Sequence, residues 1–171
     1  MMRYYCFVLI SLVFLTATVP ATAQSAQEVN ERINRIIEQY MNTKNGLVHN
    51  RDDLSAAWAE RLETTIATTP HEIFEEDVVS TWEGYQQVMM SLAGNIVDAE
   101  DINGQRQALH EFSEEMIAML EEFGNPGETL YVFVCGDYGD EDVVWLNDSD
   151  RVANPYHGPE NLECGRVIAE L

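Results

Sequence analysis

Basic side chains are scarce in this chain. Lys44 is its only lysine, and nine lysines and arginines face 30 aspartates and glutamates, which gives a net charge of −21 at pH 7. Because like charges repel, this balance argues against nucleic acid and anionic membranes as partners. The composition leaves three interpretations of the negative charge open: a solvated acidic surface, adaptation to a saline exterior, or attraction of cations.

Long apolar runs are also scarce, and the one that exists lies at the N-terminus. Arg3 is followed by an almost wholly apolar segment, residues 4–19, and then by Ala21-Thr22-Ala23. This pattern predicts a cleavable Sec-type signal peptide over residues 1–23, with export to the periplasm or beyond. The alternative is an uncleaved anchor, for which the run is short. We expect one domain over residues 24–171 and no membrane insertion once the signal is removed.

Catalytic signatures are lacking as well. The sequence contains no Gly-x-Ser-x-Gly motif, no phosphate-binding loop and no persuasive pair of nucleophile and base. We therefore expect that the protein is not an enzyme.

Four segments repeat apolar residues at helical spacing. They are predicted to start near Ala26, Asp52, Glu75 and Gly104, and the last is stopped by Gly124-Asn125-Pro126-Gly127. The stripe predicted to face the core in the second helix is Leu54, Trp58, Leu62 and Ile66. Met89 and Met116 lie on such stripes too, which favours core packing over a methionine-rich metal site.

The pattern changes after residue 128. Residues 129–135 are rich in β-branched and aromatic side chains and predict a strand, with a polar turn at 136–142 and a second strand at 143–146. Residues 162–171 are expected to supply a third strand. The predicted fold is α+β and mainly α: an antiparallel four-helix bundle followed by a small C-terminal antiparallel sheet, from about residue 128 to 171.

The most specific stretch is the tail, where Cys135 and Trp145-Leu146 are followed by Asn154-Pro155-Tyr156-x-Gly158 and Cys164-Gly165. This ordered set resembles an uncharacterised periplasmic domain, a domain of unknown function that occurs alone or fused to adaptor proteins of heavy-metal (copper/silver) efflux pumps. Less specific matches are spread over the helices: Tyr40, Lys44, Leu47, Asp52-Asp53, Ala56, Ala57, Ala59, Asp101-Ile102, Gln105-Arg106 and Phe112-Ser113.

The resemblance implies a soft-metal site with copper as the ion. Thiolate, thioether and imidazole ligands suit Cu(I), and the ligands implied here are Cys135 and Cys164, with His157 as a third. The sequence departs from the family pattern at the auxiliary positions, because Val134, Gly136-Asp137 and Asn161 replace a histidine, a Pro-Met pair and a methionine.

Two functions therefore stay open. The first is an exported accessory protein that binds a soft metal ion in association with metal-efflux components. The second is a structural or protein-interaction module without a metal site, in which Cys135 and Cys164 form a disulfide, as two cysteines in an exported chain commonly do. The two states exclude each other at any instant, since a disulfide offers no thiolates.

Overall fold

The fold was obtained as a computed structural model that describes residues 21–138 and 141–171, and side chains from residue 25 onward except those of residues 137 and 141. Most of the predicted signal peptide lies outside the described residues. The first helix begins at Ala21, so cleavage after Ala23 would remove its first three residues. None of the described helices is long and apolar enough to cross a membrane.

Four helices form the larger part of the fold, as the sequence predicts. They are α1 (Ala21–Val48), α2 (Asp52–Ala67), α3 (Val79–Asp98) and α4 (Ile102–Phe123). A 3-10 turn, His71–Ile73, lies between α2 and α3. Each helix packs against the next, and the short connections at 49–51 and 99–101 make their neighbours antiparallel. The Asp101 side chain caps α4 by accepting a hydrogen bond from the Gly104 N–H at 2.8 Å.

The predicted core face of α2 is half wrong. Leu54 is 40% exposed and Trp58 is only half-buried, with Arg61 stacked 4.5 Å from the centre of its ring. The buried face carries small residues instead, beginning with Ser55 and Ala59. The reason is a close approach of α1 and α2: a Cβ on Gly46 would lie 2.8 Å from the Ser55 backbone nitrogen, so large side chains have no room there.

The far end of the bundle is closed by aromatic rings. Phe74 stacks on Trp82 at 4.6 Å between ring centroids, and Phe123 meets both rings edge-on. Met89 and Met116 are fully buried, which confirms their packing role in the core.

Three antiparallel strands follow the bundle: β1 (Tyr131–Tyr138), β2 (Glu141–Asn147) and β3 (Arg166–Glu170). They lie in the order β2-β1-β3. β1 and β2 extend into the predicted polar turn at 136–142, because the ladder continues, with an irregularity, from Cys135 opposite Val143 to Tyr138 opposite Glu141. β3 is an edge strand, and all five of its residues are exposed.

One continuous core joins the sheet to the bundle. Buried side chains of β1 and β2 belong to the same hydrophobic cluster as those of the four helices; among them are Val132, Phe133, Trp145 and Leu146. β2 packs on α4. The sheet therefore holds the tail loop, residues 148–165, against the junction of α1, α2 and α4.

Candidate functional site

The two tail cysteines form a disulfide. Cys135 lies in β1, Cys164 lies two residues before β3, and their Cα atoms are 5.6 Å apart, within the usual range for this bond. The cross-link expected under the second sequence interpretation is therefore present. It ties the end of the tail loop to the central strand of the sheet.

His157 is the third member of the cluster. A ring nitrogen of His157 and the sulfurs of Cys135 and Cys164 all lie within 4.8 Å of one another. The Nε2 atom of His157 is buried and has no hydrogen-bond partner among the described residues. Its ring meets Tyr138 edge-on, with the centroids 5.6 Å apart. The structure thus brings together all three residues that the sequence proposes as metal ligands.

An open groove of about 350 Å³ reaches the disulfide from the β3 side. Cys135 and Cys164 both line it, together with Asp142, Arg166 and backbone around them. Cys135 is only 2% exposed, whereas Cys164 is partly exposed. Cys164 is thus more accessible to solvent than Cys135.

Asn154 organises the loop that carries His157. Its Oδ1 accepts hydrogen bonds from the backbone N–H groups of Tyr156 and His157, at 2.7 and 3.0 Å. Its Nδ2 donates to the Cys164 carbonyl at 2.8 Å. One buried amide therefore fixes the backbone of His157 relative to that of Cys164.

Gly165 and Tyr156 explain two further positions of the tail motif. Gly165 has φ +148°, and a Cβ there would lie 2.6 Å from the Trp145 ring, so only glycine fits after Cys164. The Tyr156 hydroxyl donates a short hydrogen bond to the Val144 carbonyl of β2. Both contacts fasten the loop to the sheet.

Arg106 of α4 fastens the same loop to the helices. Its Nε donates to the Pro155 carbonyl at 2.9 Å, and one terminal nitrogen donates to Asn50 Oδ1 at 2.6 Å and to the Leu47 carbonyl at 3.5 Å. The other terminal nitrogen donates to Asn103 Oδ1 at 3.4 Å. Arg106 is 8% exposed, and none of the described hydrogen-bond partners of its guanidinium is a carboxylate.

Gly158 makes room for this guanidinium. It has φ +55°, and a Cβ there would lie 2.6 Å from Arg106 Nη2 and 2.7 Å from Asn50 Oδ1. The glycine of the Asn-Pro-Tyr-x-Gly motif is thus required by close packing as well as by backbone conformation.

Tyr40 connects the bundle to β2. Its hydroxyl accepts from the Leu146 N–H at 3.1 Å and bonds Ser113 Oγ at 2.8 Å, and Ser113 Oγ donates to the Leu109 carbonyl at 2.7 Å. Since the Ser113 proton is used by Leu109, Tyr40 donates to Ser113. Burial raises the pKa of Tyr40 to about 12, so the hydroxyl keeps its proton.

Lys44 lies one turn after Tyr40 on α1 and, like Arg106, is a buried cation. It is 1% exposed and donates a short hydrogen bond from Nζ to Asn147 Oδ1. The Asn147 amide in turn donates to the Arg151 carbonyl at 2.8 Å. Burial lowers the pKa of Lys44 from 10.5 to about 8, and the negative charge of Asp148 opposes this shift in part.

The depressed pKa of Lys44 predicts a pH-dependent stability. Between the folded pKa of about 8 and the unfolded value of 10.5, the unfolded chain binds more protons, so the free energy of unfolding rises with pH. From pH 7.5 to 9.5 the wild type should gain about 2 kcal/mol relative to Lys44→Met. Urea unfolding across this range measures it. The comparison is kept below pH 10. Above that pH the raised pKa of Tyr40 lowers the free energy of unfolding of both proteins, because the tyrosine ionises first in the unfolded chain.

No other lysine is available for a control substitution, so the comparison is between the wild type and Lys44→Met at each pH. Parallel stability curves for the two proteins would show that the Lys44 ammonium is not desolvated in the folded state.

The helices that support this site identify the protein family. The family model "Protein of unknown function (DUF3347)" matches residues 36–128, more than half of the 171 residues. The chain belongs to the DUF3347 family. No curated protein and no solved structure matches it.

The DUF3347 match begins within α1, covers α2, α3 and α4, and ends before the sheet. It includes Tyr40, Lys44 and Arg106, but their tail partners, the two cysteines and His157 lie outside the matched range. The helical residues that look weakly specific in the sequence are thus within the matched range. Three of them, Tyr40, Lys44 and Arg106, hydrogen-bond to the C-terminal part, at Leu146, Asn147 and Pro155.

His110 and Glu114 lie one helical turn apart on α4. The Nε2 atom of His110 is 4.0 Å from the nearer carboxylate oxygen of Glu114, whose side chain is largely exposed, whereas that of His110 is 15% exposed. The acidic run at 137–142 lies in part outside the described residues. Sequence reasoning missed Lys44 and Arg106 as buried cations, although a single lysine in so acidic a chain was a usable signal.

Proposed function

We propose that this DUF3347 protein is an exported accessory protein that binds a soft metal ion, with Cu(I) as the leading candidate, when its cysteines are reduced. Cys135 and Cys164 supply thiolates and His157 supplies an imidazole nitrogen. The observation that carries the proposal is the convergence of these three ligand atoms within 4.8 Å, with the buried His157 Nε2 left without a partner among the described residues.

The position of His157 suits a three-coordinate site once the two sulfurs separate. Metal–sulfur bonds of about 2.3 Å and metal–nitrogen bonds of about 2.0 Å place the ligand atoms of such a site about 4 Å apart. The two sulfurs, bonded to each other here, have to separate, while His157 already lies within 4.8 Å of both. Cys164 can move more easily than Cys135, since it lies outside the strands and is partly exposed.

The donor set favours a soft ion. Two thiolates and one imidazole match Cu(I) better than Mg²⁺ or Ca²⁺, which prefer oxygen ligands. The net charge of −21 draws cations toward the protein. The proposed association with metal-efflux components rests on the resemblance of the tail motif.

In this proposal the disulfide is the closed form of the site. Binding requires two-electron reduction, because only thiolates coordinate the ion. The loop that carries His157 is held by Asn154 and Arg106, whose contacts do not involve the sulfur atoms. These contacts are expected to keep the imidazole in place after the bond opens.

An anaerobic Cu(I) titration of the reduced protein against a competing chelator tests the proposal. We expect one equivalent to bind and the Cys135→Ser, Cys164→Ser variant to bind at least about 100-fold more weakly. His157→Asn should weaken binding about tenfold, since loss of an imidazole ligand costs at least as much as loss of a residue that orients one.

His71→Asn is the matched control, because His71 lies between α2 and α3, outside the cluster, and should leave the affinity unchanged. Circular dichroism before titration confirms that each variant is folded. If the reduced wild type binds Cu(I) no more tightly than the double serine variant, the metal function is wrong.

The second candidate is a non-enzymatic structural or protein-interaction module, and the disulfide itself favours it. Mass spectrometry of the protein taken from its native compartment separates the two. A deficit of two protons identifies the cross-linked form that this alternative requires, and a fully reduced pair counts against it.

A further inference from the structure

We propose that Cys164 is the sulfur at which an incoming small-molecule thiolate opens the disulfide, and that the groove beside β3 is its entry path. This inference deepens the proposed function, which requires the reduced pair. Its test needs no metal, so the two can fail separately.

The two ends of the disulfide differ in access. Cys135 is in the central strand, paired with Val143 of β2, and 2% exposed. Cys164 is partly exposed and precedes the edge strand β3, all of whose residues are exposed. Because exchange depends on access to the attacked sulfur, the thiolate reaches Cys164 first.

The groove also has room for the adduct. Its volume of about 350 Å³ is bounded by Cys164, Gly165 and Arg166 on one side and by Gly136 and Asp142 on the other. A thiol attached to Cys164 can extend into this space. Cys135 also lines the groove, but it is only 2% exposed, so a thiol attached there would crowd the buried side chains around it.

Arg166 gives the groove a local positive charge. It lines the groove directly beside the disulfide, and it is one of only nine basic residues in a chain of net charge −21. Asp142 lines the same groove and Glu163 adjoins Cys164, so both oppose the approach of an anion. Arg166 therefore offsets repulsion that would otherwise slow the thiolate.

The exchange balances as two displacements. The thiolate sulfur bonds Cys164 Sγ, the bond between Cys164 and Cys135 breaks, and its electron pair leaves on Cys135 Sγ. Solvent supplies the proton to that sulfur. A second thiolate then attacks the sulfur of the first, forming the small-molecule disulfide and releasing Cys164.

Trapping with reduced glutathione tests the direction of attack. The oxidised protein is mixed with glutathione, quenched at short times with an alkylating agent, and mapped by peptide mass spectrometry. We expect glutathione on Cys164 and the alkyl label on Cys135, with at least about a tenfold preference, as the difference in access implies. Glutathione on Cys135, or on both equally, would overturn the proposal.

Glutathione could move from one cysteine to the other before the quench, and single-cysteine variants exclude this transfer. The Cys164 thiol of Cys135→Ser should react with oxidised glutathione at least about ten times faster than the Cys135 thiol of Cys164→Ser. The reverse order would contradict an entry path through Cys164.

Charge substitutions test the groove itself. Arg166→Gln should slow the reaction of the wild-type disulfide with glutathione about two- to fivefold at low ionic strength, and high salt should remove the difference. Arg151→Gln, an exposed arginine outside the groove, should leave the rate unchanged. Equal slowing by both variants would show a general charge effect and no role for the groove. Cu(I) binding by the reduced protein together with glutathione on Cys135 would retain the proposed function and reject this entry path.

Discussion

Replacement of both Cys135 and Cys164 by alanine should lower the free energy of unfolding by about 3–4 kcal/mol. The bond closes a loop with a sequence separation of 29 residues. On the chain-entropy model, opening a loop of this length releases conformational freedom of the unfolded chain worth about 3.6 kcal/mol at 25 °C. Local order should decrease most in the tail loop and in β3, because the disulfide joins these segments to β1.

Urea unfolding of the oxidised wild type, the reduced wild type and the double alanine variant measures this loss. Reduction of the wild type should reproduce most of it, while a reductant should leave the alanine variant unchanged. A difference below about 1 kcal/mol between oxidised and reduced protein would mean that contacts such as that of Asn154 with the Cys164 carbonyl already restrict the unfolded loop. The result also bears on function, since it measures how far the reduced, metal-competent form is destabilised.

Helical periodicity predicted the bundle because it is a local property of the chain. It failed on α2, where Ser55 and Ala59 are buried while Leu54 is exposed. Hydrophobic spacing detects large side chains, but the contact at Gly46 selects small ones. The strands were predicted too short at their polar ends, because Tyr138 and Glu141 pair beyond an irregularity in the ladder, and backbone pairing does not require apolar side chains.

The candidate site was predicted in its residues but not in its state. Cys135, Cys164 and His157 converge as the tail motif implies, yet composition could not decide between thiolates and a disulfide. The side chains that hold the tail to the helices could not be predicted from local sequence patterns. Lys44 meets Asn147 across 103 residues and Tyr40 meets Leu146 across 106, and no spacing rule connects positions so far apart.

Arg106→Met should lower the free energy of unfolding by about 3 kcal/mol. Methionine retains the apolar stem but removes the donors to Pro155, Asn50 and Leu47. Hydrogen bonds to a charged group contribute about 1.5–3 kcal/mol each, and acceptors left buried without a donor add a penalty. Relief from burying a guanidinium without a carboxylate among its described partners offsets part of this loss, which is why the expected effect is smaller than the sum.

Arg106→Lys separates geometry from charge, because an ammonium cannot span three segments as a planar guanidinium does. We expect it to recover less than half of the loss. Arg35→Met, at an exposed position on α1, should change stability by under about 0.5 kcal/mol. Denaturant unfolding of the four proteins, all oxidised, provides the comparison. If Arg106→Met matches the wild type, the loop is held by the disulfide, Asn154 and the contacts of Tyr156 and Gly165 with the sheet, without a contribution from Arg106. If Arg106→Lys is as stable as the wild type, the positive charge at this position is sufficient and the several donors of the guanidinium are not required.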